Sequence, residues 1–90
     1  MIFSMESFTV MLEIYNLSMV LLVTPVANSP FCFRIRTITH GPKAMTITRL
    51  PDLSWNAVDI QMKYFTVETI QRLGALIEFK KPKLFLPEIP

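Results

Sequence analysis

Few of the residues on which small functional sites depend are present. The ninety-residue chain has two glycines, one cysteine and one histidine. With glycine only at positions 41 and 74, no glycine-rich phosphate loop can be built. A single cysteine excludes an internal disulfide framework and fits a reducing compartment. Cys32 and His40 lack the paired spacing of a zinc site, and no carboxylate is identifiable that would orient a Cys-His or Ser-His-Asp arrangement. The expectation is a non-enzymatic chain that takes no metal and no cofactor. Charge is scarce as well: 18% of residues, against about 25% in ordinary soluble domains.

What the chain has instead is apolar residues, 51% of the total. That content is too high, and the charge too low, for disorder. Ninety residues make one domain, 1–90, with a modest core. The net charge of +2 is small but unevenly placed. Residues 1–33 carry Glu6 and Glu13 and no basic residue; all nine lysines and arginines lie between Arg34 and Lys83. No charge occurs from Ile14 to Phe33, a stretch nominally long enough to span a bilayer. Pro25, Pro30, Asn16 and Asn28 interrupt it, and the acidic start is unlike a signal peptide. A cytoplasmic protein is expected, with a membrane segment over 8–27 as the alternative. Asn16-Leu17-Ser18 matches the glycosylation pattern but lies inside an apolar run, where a surface loop would be needed. Cys32, between Phe31 and Phe33, reads as a small buried hydrophobe.

The spacing of Glu6, Thr9, Glu13 and Asn16 makes one polar stripe at helical period, so residues 5–23 read as a helix within an apolar N-terminal unit, 1–27. The alternation of Phe8, Val10, Leu12 and Ile14 supports a strand instead, and the helix is the preferred reading. Arg36-Thr37-Ile38-Thr39 mirrors Thr46-Ile47-Thr48-Arg49 about Gly41-Pro42, which predicts an antiparallel hairpin with Thr37 opposite Thr48, Ile38 opposite Ile47 and Arg36 opposite Arg49. Val58, Ile60, Met62 and Tyr64 alternate with polar residues and predict a third strand over 57–65. Thr66 looks like an N-cap for a helix with Val67, Ile70, Leu73, Gly74 and Ile77 on its apolar face and Pro82 at its end. The expected fold is therefore α+β, a three-stranded antiparallel sheet with two helices in the order α-β-β-β-α. Residues 31–81 form its β-β-β-α unit and 82–90 an extended tail.

That element order is shared with the double-stranded-RNA-binding domain, and Gly41-Pro42 falls where that family often carries Gly-Pro. The likeness is one of order alone: Thr66-Val67-Glu68-Thr69 has no lysine where the family's last helix begins, and Lys43 and Ala44 stand where its histidine would follow.

Two surfaces carry the functional expectations. Six methionines and seven phenylalanines suit an adaptable contact surface. An N-terminal helix apolar nearly all round would offer Met5, Phe8, Leu12 and Met19 to a protein partner or a second copy. Arg34, Arg36, Lys43 and Arg49 would gather as an anion site in the proposed hairpin register, relieving the clash of two opposed arginines. The leading reading is a self-associating protein-interaction or regulatory module. A single-segment membrane-associated protein comes second, and a nucleic-acid binder using the basic strands third.

Overall fold

A computed structural model describes residues 6–38, 44–58 and 65–85. Five strands, β1 (Phe8–Ile14), β2 (Leu17–Pro25), β3 (Cys32–Thr37), β4 (Ala44–Arg49) and β5 (Trp55–Ala57), form one antiparallel sheet in sequence order. One helix, α1 (Val67–Lys80), follows, and then a 3₁₀ turn (Pro82–Leu84). The close approaches of α1 are to the two edge strands, β5 and β1, so the sheet coils about the helix. Between them lies a single core, in which Leu21, Ile35, Met45 and Ile47 from the sheet meet Ile70, Leu73 and Ile77 from α1.

The expected helix over 5–23 is instead the hairpin β1–β2, and in place of the expected three strands and two helices the described residues form five strands and one helix. Two facts decide this. Burial along β1 alternates strictly, with Phe8, Val10, Leu12 and Ile14 inward. Tyr15 and Asn16 both take positive φ, 51° and 64°, the requirement of a two-residue type I′ turn. A helix apolar on nearly every side would have left most of that surface in water. The hairpin buries one face and pairs the backbone with its neighbour.

The β3–β4 pairing is also displaced. Phe33 lies opposite Ile47, Ile35 opposite Met45, and Arg36 opposite Ala44, a shift of five residues from the expected register. An odd shift exchanges the faces of one strand relative to the other. The mirrored threonines would have turned Ile38 inward and Phe33 and Ile35 outward. The observed register buries Phe33 and Ile35 together and leaves Ile38 at 53% exposure. Of the expected third strand, residues 59–64 and the Gly41-Pro42 turn lie outside the described residues; the described strand there is Trp55–Ala57, with Trp55 buried.

The C-terminal helix is where local signals put it. Thr66 caps it, its hydroxyl accepting from the Thr69 N–H at 3.2 Å, with Glu68 in the first turn and Lys80 in the last. Val67, expected on the buried face, is 69% exposed. The start of the expected extended tail is a 3₁₀ turn that returns Phe85 to the core aromatics, 5.8 Å from Phe33 and 5.9 Å from Trp55. No helix among the described residues is long and apolar enough to cross a membrane, and residues 8–25 are spent on paired strands.

Candidate interaction surface

Strand alternation divides the side chains into two sets. The inward set is covered by α1; the outward set has no described layer over it. On β1 the outward residues are Thr9, Met11 and Glu13, all exposed, with Met11 at 65%. The register carries Met11 beside Val20, and Thr9 beside Leu22 and then Arg36. Val20 and Leu22 are half-buried, and Ile38 joins the same row through its N–H, which donates to the Val20 carbonyl at 3.2 Å. The outer face of the first three strands is thus an apolar patch of Met11, Val20, Leu22 and Ile38. It is bordered by Arg36 and by Arg34, whose Nη1 donates to the Thr46 hydroxyl at 3.3 Å.

The bond from the Ile38 N–H to the Val20 carbonyl fixes which way the backbone of β1 points. Val20 turns its carbonyl toward β3, so the Met11–Val20 pair exchanges no hydrogen bonds. The two-residue turn makes Ile14 and Leu17 the hydrogen-bonded pair that closes the hairpin, and alternation from there gives the same result. The N–H and C=O groups of Thr9, Met11 and Glu13 therefore face away from β2. Among the described residues β1 has no second neighbour in the sheet.

No protein-family model matches the chain, and comparison with curated proteins and with solved structures finds no match. The surface has to be read from its own geometry.

The residues expected to bind a partner are not on this surface. Phe8, Leu12 and Met19 are buried in the core, facing α1, and Met5 lies outside the described residues. The helix expected over this segment would have offered these side chains outward; as strands, β1 and β2 turn them inward. The alternation over Phe8–Ile14 is the signal that separates the exposed Met11 from its buried neighbours.

Of the four cations expected at an anion site, the three described ones divide between the two faces of the sheet. Arg34 and Arg36 share the outer face of β3, and Lys43 lies outside the described residues. Arg49 belongs to the inward face and is engaged there. Its Nη1 donates to Glu78 Oε1 on α1 at 2.7 Å, and its guanidinium lies 4.5 Å from the Phe31 ring centre and 4.9 Å from that of Phe85. Its side chain is 16% exposed. This is a cation that locks helix to sheet. Cys32 is half-buried on the outer side of β3 rather than in the core. Asn16 of the glycosylation-type tripeptide is at the exposed hairpin turn rather than inside a packed run.

A cleft of about 330 Å³ opens where α1 ends, between Lys80, Lys81 and Lys83 on one side and Glu6, Phe8 and Pro25 on the other. Lys81 Nζ stands 5.4 Å from the Phe8 ring centre. These lysines complement the negative pole of the helix C-terminus. Among the described residues no three histidine, cysteine, aspartate or glutamate side chains gather as a metal site requires. Asp52 is committed to a turn. Its Oδ1 accepts from the Ser54 hydroxyl at 2.5 Å and from the Ser54 N–H at 3.0 Å, and these bonds hold its carboxyl below the ordinary aspartate range.

Proposed function

We propose that this chain is a small, non-enzymatic protein-interaction module that takes up an extended protein segment along β1. The observation that carries the reading is the outer edge of β1, which pairs with no other strand among the described residues, together with its 65% exposed Met11. Exposed edges in native sheets are usually guarded by proline, lysine, a bulge or short length. β1 has none of these. Its seven residues, Phe-Thr-Val-Met-Leu-Glu-Ile, carry one charge and pair with β2 in unbroken register from Phe8–Val23 to Ile14–Leu17. An added strand would gain main-chain hydrogen bonds from the edge, and alternate side chains would rest beside the patch of Met11, Val20, Leu22 and Ile38.

The test is capture of a peptide. A lysine-flanked peptide of sequence Phe-Thr-Val-Met-Leu-Glu-Ile is titrated into the isotope-labelled full chain and followed by NMR. The amide signals of Thr9, Met11 and Glu13 should move and become protected from exchange, while those of Ile47 and Asn56 on the far side stay in place. Unmoved edge signals at millimolar peptide, in a sample dilute enough for the chain to sediment as a monomer, would overturn the proposal.

A further inference from the structure

We infer that the strand taken up by β1 is β1 of a second copy, paired antiparallel about a two-fold axis at Met11. This rests on the reading of β1 as a strand-accepting edge and names its occupant. The argument is one of complementarity between the edge and itself. Three residues, Thr9, Met11 and Glu13, aim both backbone groups outward. An antiparallel pair exchanges hydrogen bonds only where such residues oppose each other. Centring on Met11 sets Met11 against Met11 and each Thr9 against the other copy's Glu13, so every outward N–H and C=O of the strand finds a partner. Sliding by one residue opposes outward groups to inward ones and forms no ladder. Sliding by two leaves one of the three residues without a mate inside β1.

Side chains favour the same register. Glu13, the one charge on β1, meets a threonine hydroxyl rather than the second Glu13. Like charges directly opposed would cost stability. On the inward face Val10 would lie opposite Leu12 and Phe8 opposite Ile14, carrying the apolar layer from one copy into the next. On the outer face the two Met11 side chains would meet and join the apolar patches of both copies. The alternative homodimer, with the outer faces stacked, would bury Arg34 and Arg36 of each copy against like charge. Edge pairing leaves all four arginines in water.

Cysteine scanning of the full chain in a Cys32→Ser background tests this, with oxidised glutathione as the oxidant that takes up the two thiol electrons. A residue on the axis lies about 5.5 Å from its own copy, within disulfide reach. Met11→Cys should therefore cross-link to a covalent dimer at micromolar protein. Thr9→Cys and Glu13→Cys, each four positions from its own copy along the strand, should not. Mixing the last two variants should give the heterodimer. A dimer by sedimentation without this pattern overturns the register. A monomer throughout, to high micromolar concentration, overturns the homotypic partner even if the peptide above is captured; failure of the peptide as well overturns the edge itself. As a second measurement, Met11→Pro removes one outward N–H from each copy at a position where an edge strand tolerates proline. With the helical and strand circular dichroism of the native chain retained, its dimer dissociation constant should rise about ten-fold or more. An unchanged constant would overturn the pairing.

Discussion

Replacing Gly74 with alanine should destabilise this protein, against the usual rule for a glycine inside a helix. Alanine is favoured over glycine there by about 1 kcal/mol, through the entropy of the unfolded chain and helix propensity. At Gly74 the geometry opposes that gain. A Cβ at this position falls within the indole of Trp55, against Cδ1, Cγ and Nε1. Trp55 cannot easily withdraw. Its N–H donates to the Gln71 Oε1 at 2.7 Å, and its carbonyl accepts from Gln71 Nε2, so α1 grips the backbone of β5 beside the same contact. Its ring is also hemmed in by Phe33 and Phe85. Overpacking of this kind costs about 1–3 kcal/mol, and here the upper part of that range applies. After the propensity gain, a net loss of about 1–2 kcal/mol remains. For a domain of this size that lowers the melting temperature by roughly 5–15 °C. Thermal and urea unfolding followed by circular dichroism would measure it. Repeating Gly74→Ala in a Trp55→Leu background isolates the cause. Once the indole is gone, the alanine should be neutral or stabilising, and the cycle should show coupling of about 1 kcal/mol or more. A Gly74→Ala protein that melts higher than the native chain would refute the reasoning.

Three further outcomes follow from the engaged polar residues. Arg49→Lys keeps the charge but loses the planar group that lies over Phe31 and Phe85, and should cost about 1–2 kcal/mol in urea unfolding. Glu78→Gln should cost less than about 1 kcal/mol, because Glu78 is about a third exposed and its ion pair is partly screened; equal stability of Arg49→Lys and the native chain would refute the stacking role. The Asp52 carboxyl, held ionised by Ser54, should titrate at lower pH in the native protein than in Ser54→Ala when its carbon signal is followed by NMR. Because its folded value is depressed, its contribution to stability is present above the unfolded aspartate value of about 3.9 and is lost as the pH falls through the folded one. Identical midpoints in the two proteins would show that the turn does not hold the charge.

The parts of this fold that could be read in the sequence are those written in neighbouring residues. Thr66, Glu68, Lys80 and Pro82 mark both ends of α1 within a turn of where they act. The N-terminal hairpin was harder to read because its polar residues satisfy two periods at once. Thr9 and Glu13 fit a helical stripe and also an alternating strand, and the decision rests on one turn with Asn16 as its only strong signal. The register of β3 on β4 depends on which face is buried, and that is set by α1 and Trp55, distant in the chain. The threonine and isoleucine pairs offered a local match that the burial of Phe33 and Ile35 outweighs. Arg49 was legible as a cation, but its partners come from three separate segments, ending in Phe31, Glu78 and Phe85. An edge can be recognised only when the strand order is known, so the surface on β1 followed from the topology.

The meander order of the sheet also sets a timetable. Every pair of adjacent strands is consecutive in the chain, so each can form by local closure, and hairpins form in about 1–10 μs. Synthesis is far slower, at about 5–20 residues per second. The hairpin β1–β2 is complete at Pro25, whereas α1 is complete only at Lys80, roughly 3–10 s later at those rates. For that interval on the ribosome the inward row from Phe8 to Val23 lacks the helix that will cover it, while the strand that carries the edge has already been made. Neighbouring nascent chains on one messenger would present matching edges during those seconds. If β1 pairs with a second copy as inferred, pairing that begins there would be cotranslational, decided by ribosome spacing as well as by the concentration of the finished protein.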